Sequence, residues 1–144
     1  MRKKIHIQFM LITAIAILCT VFFSLCVSYD MIKDQVMEEI RSYAYLLRDI
    51  NVNENISWES FESIQDELRI TVVEEDGSVI YDNYADKTLM DNHAGREEVQ
   101  EALAYGEGFA VRNSDTLAEN LFYFAVSMEG GAVIRVAKQA SNAW

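Results

Sequence analysis

From Ile5 to Val27 the chain carries no Asp, Glu, Lys or Arg. A helix rises about 1.5 Å per residue, so about 20 such residues cross a hydrocarbon core of about 30 Å. The run therefore predicts a membrane helix over residues 5–28. A cleaved signal would have a shorter apolar core and a small-x-small exit, and Phe23-Ser24-Leu25-Cys26 lacks the small residue before Cys26 that lipoprotein processing wants. A buried helix of a soluble protein fits poorly, because nothing on the run is polar enough to face water. Arg2, Lys3 and Lys4 precede it and Asp30 is the first acid after it. By the positive-inside rule, residues 1–4 are a cytoplasmic tail and the chain from Tyr29 onward lies outside.

The apolar positions that follow are Ile32, Val36, Ile40, Tyr43, Leu47 and Ile50, three or four apart, with charged residues on the other faces. That is the helical period. No Gly or Pro intervenes, so one helix is expected to leave the membrane and become the first helix of the outer domain. Its stripe faces the domain's own sheet, a partner copy, or both. After the polar break 51–55, Ser57 reads as an N-cap, with Trp58, Phe61, Ile64 and Leu68 at helical spacing behind it. The period then changes. A β-branched run from Ile70, the turn dipeptide Asp76-Gly77 and the return run Val79-Ile80-Tyr81 predict a hairpin. Residues 83–93 are polar and irregular, with one helical turn near Thr88-Leu89-Met90. Arg96 to Ala104 reads as a short helix with Glu97 and Glu98 in its first turn and Gly106 as its stop. Strands follow at Phe109–Asn113, Leu121–Ser127 and Ala132–Lys138. The expected fold class is α+β: a membrane helix continuing into a domain with a five-stranded antiparallel sheet and flanking helices.

Composition narrows the function. The 144 residues include no proline, and 12 basic residues stand against 23 acidic ones. Three of the basic ones precede the apolar run, which makes the outer part more acidic still. Such a domain lacks the basic face that nucleic acid requires and is ill suited to lie on an anionic membrane surface. Cys19 and Cys26 both fall inside the apolar run, so the outer domain has no disulfide, zinc-thiolate site or cysteine nucleophile.

Little catalytic chemistry is visible. Ser114 and Ser127 lack a nucleophile-elbow context, and there is no phosphate-binding glycine loop. His93 stands near Asp82, Asp86, Asp91, Glu97 and Glu98 in sequence, but the spacing matches no ligand motif, so neither a metal nor a catalytic residue is expected. Arg112 and Arg135 lie on predicted strands. Facing a cleft, they could hold a carboxylate or phosphate; facing solvent, they would be ordinary surface charge.

Residues 76–137 carry a resemblance. Its parts are Asp76-Gly77-Ser78-Val79-Ile80-Tyr81-Asp82, Met90-Asp91-Asn92-His93, Arg96, Glu98-Val99, Ala102-Leu103, Gly106-x-Gly108, Arg112-x-Ser114-x-Thr116-Leu117, Tyr123-x-Ala125-Val126 and Val133-Ile134-Arg135-Val136. In order and spacing this resembles the extracytoplasmic sensor domain of PhoR-like two-component sensor histidine kinases. The family often has Pro after the arginine, where Glu97 stands here.

The resemblance implies a PAS-like (PDC/Cache-type) sensor over 29–138, a junction at 139–144 towards a second membrane helix, and a cytoplasmic kinase beyond it. The kinase would use ATP, act as a homodimer in the cell membrane and pass phosphate to a response regulator. None of that machinery is in these residues, and this chain itself is expected to hold no cofactor. The chain is accordingly expected to be an N-terminal fragment. The ligand-binding candidates are Tyr81, Arg112, Tyr123 and Arg135; the family-motif positions Asn92, His93, Arg96, Gly106, Gly108, Ser114 and Thr116 are expected to be structural. A sheet of this type holds a small molecule, a cation or nothing. The alternative function is a single-pass membrane protein that binds a ligand or partner without kinase output.

Overall fold

The computed structural model describes residues 2–54, 58, 68–114 and 119–139. Helix α1 runs Arg2–Glu54 without interruption, as the missing Gly and Pro require. The chain divides into two units, residues 1–34 and 35–144. In the first, the apolar side chains of α1 lie open, Phe9, Met10 and Phe23 each more than 70% exposed. The hydroxyls of Thr13 and Thr20 donate to the carbonyls of Phe9 and Ala16, both at 2.8 Å, so the helix satisfies them itself. Among the described residues this is the one helix long and apolar enough to cross a membrane.

The second unit contains the later turns of α1 and an α+β fold. Its strands are β1 (Arg69–Val73), β2 (Val79–Asp82), β3 (Glu107–Ser114), β4 (Glu119–Ser127) and β5 (Val133–Gln139), with helix α2 (Glu97–Tyr105) between β2 and β3. All pairings are antiparallel and the order is β2-β1-β5-β4-β3. The last strand is thus the central one, and Val133 through Lys138 are buried. Strand bounds differ from the sequence expectation by one or two residues. The helix expected after Ser57 lies outside the described residues except for Trp58 and Leu68.

One sheet face receives α1. Val36, Ile40, Ala44 and Leu47 are buried there, and Tyr45 meets Phe124 with ring centroids 6.1 Å apart. The stripe thus faces the domain's own sheet. Ala44 is a correction to the expected stripe, which placed Tyr43 at that turn: Tyr43 is half-buried while Ala44 is fully buried. Three polar links flank the seam: Lys138 Nζ lies 2.7 Å from Glu39 Oε1, while Arg41 (3.2 Å) and the Tyr45 hydroxyl both donate to Glu107.

The other face receives α2. Val99 and Ala102 pack with Val73, Ala125 and Val133. The helix comes this close because position 108 is glycine. A Cβ there would sit 2.2 Å from the Glu98 carbonyl oxygen and 2.6 Å from Glu101 Cβ.

Candidate functional site

Registers decide which side chains share a face. Arg135 of β5 stands between Ala125 of β4 and Thr71 of β1, and Thr71 in turn faces Asp82 of β2. Tyr123 stands between Ala110 and Ala137, and Arg112 opposite Leu121. Arg135, Tyr123 and Arg112 therefore look from the α2 face of the sheet, over a floor kept low by alanines at 110, 125 and 137. Tyr81 pairs with Val72 on the opposite face, stacked on Trp58 with centroids 6.4 Å apart. Three of the four ligand-binding candidates come together and Tyr81 does not.

The group that gathers them is Glu98. The sequence marks it only as a first-turn acid of α2, and it is completely buried. Arg112 grips it with two nitrogens, Nη1 donating to Oε1 at 3.1 Å and Nη2 to Oε2. Arg135 Nε lies 3.0 Å from Oε1, close enough to be an ion pair but not aligned as a hydrogen bond. Both guanidiniums also cover the Tyr123 ring, their Cζ atoms 4.5 and 4.4 Å from its centroid, a favourable cation–π geometry. Burial pushes the Glu98 carboxyl up. The Arg112 hydrogen bond, a backbone N–H and the two arginine charges outweigh it and hold the group below the usual carboxylate range. Burial opposes the charge on Arg112 as well, but its bond to Glu98 raises it above the ordinary guanidinium value. Arg135 is held lower by its burial and still remains a cation at any physiological pH.

Beside this pair lies a second. Arg69 Nε donates to Asp82 Oδ2 at 3.0 Å, and the buried Thr71 hydroxyl donates to the same oxygen at 2.8 Å. The other carboxylate oxygen accepts from the backbone N–H groups of Tyr84 and Ala85. Asp82 is thus fully engaged. Across the face, Arg69, Arg112 and Arg135 meet only Glu98 and Asp82 as charged partners among the described residues.

His93 belongs to the same neighbourhood. Its backbone N–H donates to Gly77 at 2.7 Å, and Nδ1 donates to the Asp91 carbonyl at 2.7 Å. That bond fixes the tautomer and leaves Nε2 as the acceptor nitrogen of the neutral ring. Desolvation lowers its pKa against the pull of that carbonyl, and Arg135, Arg96 and Arg69 lower it further. Among the described residues no three His, Cys, Asp or Glu side chains gather as a metal site would need.

The remaining motif positions hold the frame. Asn92 donates to the Asp76 carbonyl at 2.9 Å and accepts from Ala94 N–H at 2.8 Å. Gly77, at φ 87°, leaves room for it: a Cβ would lie 2.3 Å from Asn92 Oδ1. Arg96 occupies the N-cap of α2 and Gly106 its C-cap. Ser114 ends β3, and Thr116 lies outside the described residues.

No family model matches the chain, and no curated protein matches it. Among solved structures it is similar to the Bacillus subtilis YkuI protein, which has an EAL domain and was solved in complex with the substrate c-di-GMP and calcium. The identity is 15%, the TM-score 0.47, and the match covers 73% of this chain and 31% of that one. A likeness at that level assigns no function.

Proposed function

We propose that this chain is the input region of a membrane-bound two-component sensor histidine kinase. The sheet domain is a PAS-like sensor outside the membrane, and α1 is the element that carries its state inward. The observation that carries the reading is α1 itself: one uninterrupted helix includes both the apolar segment and the stripe buried on the sheet. A helix docked this way transmits displacement, as a Gly/Ser linker does not. The motif resemblance over 76–137 supports the same reading, and the positive residues before Ile5 support an inside N-terminus. In this scheme a stimulus shifts α1 against its mate in a homodimer. ATP binding and phosphoacceptance belong to cytoplasmic domains, with a response regulator downstream.

Reading the coding sequence past Trp144 tests this. A second apolar run followed by a helix bearing His-Glu is the expected result. A stop codon at that point in the intact gene contradicts it and leaves a single-pass binding protein.

A further inference from the structure

The α2 face of the sheet holds a cation that its surroundings do not fully use. Arg135 is 4% exposed, and its Nε and Nη1 have no hydrogen-bond partner among the described residues. Leaving such groups unpaired in a buried place is costly, more so for a charged group than a neutral one. Glu98 does not relieve this. Its two oxygens are engaged by Arg112, and Arg135 approaches one of them out of line. Asp82 is saturated by Arg69, Thr71 and two backbone donors.

The charge balance points the same way. Among the described residues three guanidiniums face two carboxylates, and the neighbouring His93 adds no anion. Arg69 and Arg112 flank Arg135 with side chains 36 and 31% exposed, so the cluster reaches solvent at its rim. Ala110 and Ala137 stand beside Tyr123 and Ala125 beside Arg135, so the aromatic ring and the guanidinium are larger than these neighbours on that face.

We propose that Arg135, with Arg69 and Arg112 beside it, forms a site for a small oxyanion, a carboxylate or a phosphate group. The anion accepts from Arg135 Nη1, which has no hydrogen-bond partner among the described residues, and its charge balances the third guanidinium of the described cluster. Charge-assisted bonds of this kind are stronger than neutral ones. Binding itself does not depend on the kinase reading; only its meaning as a stimulus rests on that reading.

The test uses the full 144-residue chain in detergent micelles, titrated with acetate, succinate or inorganic phosphate against chloride at equal ionic strength. Melting temperature and the arginine Nε–H signals of the 15N-labelled protein are followed together. The expected result is saturable stabilisation by at least one probe, with a shift of one buried Nε–H signal, and both lost in Arg135→Met. Which probe acts separates a carboxylate ligand from a phosphate one. Should Arg135→Met fail to fold, Arg135→Lys and the Nε–H titration of the unsubstituted chain still decide. The proposal is overturned if no probe moves either readout, or if stabilisation persists in the variant, as excluded-salt effects would. Saturable binding in a chain whose gene encodes no kinase would remove the sensor-kinase reading and keep the site. A kinase gene with no binding would do the reverse.

Discussion

At the scale of single residues, Glu98 determines how α2 and the sheet hold together, since its carboxylate is the anion shared by Arg112 and Arg135. Removing one partner of a buried ion pair leaves the rest uncompensated and costs about 3–5 kcal/mol. Glu98→Gln, measured by denaturant unfolding, is expected to lose stability in that range. A loss below about 0.5 kcal/mol, typical of surface substitutions, would contradict the contacts. The same groups set an acid response. His93 has a folded pKa below its ordinary 6.5, so below that pH the unfolded chain takes up a proton that the folded one refuses, and stability falls. Glu98 has a folded pKa below its ordinary 4.5, so its contribution is complete above that value and is lost as pH falls further. Stability against pH should decline in two steps on the acid side, and His93→Gln should remove the earlier one. Arg135 was visible in sequence as a charge inside the apolar run 133–137. Glu98 was not, because a first-turn acid ordinarily faces solvent and favours the helix N-terminus; only the spacing of Gly108, which lets α2 descend, hints otherwise.

At the scale of elements, helical spacing located α1 and α2, each of which buries one face, while β-branched runs between turn residues located the strands; β1 and β5, buried on both faces, show no alternation. Helical spacing misjudged the α1 stripe at one turn. Tyr43 and Ala44 both fall near the sheet-facing direction, and the helix turns the small residue inward. Two substitutions probe the two faces separately. Ile40→Ala, at a fully buried position of α1, should cost about 2–5 kcal/mol. Gly108→Ala must push α2 away from β3 and should cost about 1–3 kcal/mol, with hydrogen exchange rising first in the α2 amides. Equal acceleration across all strands, with α2 spared, would show that α2 is not held at Gly108.

At the scale of the whole molecule, the apolar segment was legible from length and charge alone, because a bilayer imposes both. Kinase output was not legible in the same way: the sequence contains neither a phosphoacceptor context nor an ATP site, so that part rests on motif resemblance. Sidedness has its own check. In a chain lacking Cys19 and Cys26, Tyr105→Cys, at a position 84% exposed, should react with an impermeant maleimide on intact cells. Lys3→Cys should react only after permeabilisation, and the opposite pattern would invert the topology. The most direct measurement of the central claim is phosphate transfer. Membranes carrying the intact gene product, incubated with radiolabelled ATP, should yield an acid-labile phosphohistidine on that product, transferable to a response regulator. Absence of label from correctly inserted protein would contradict the sensor-kinase account.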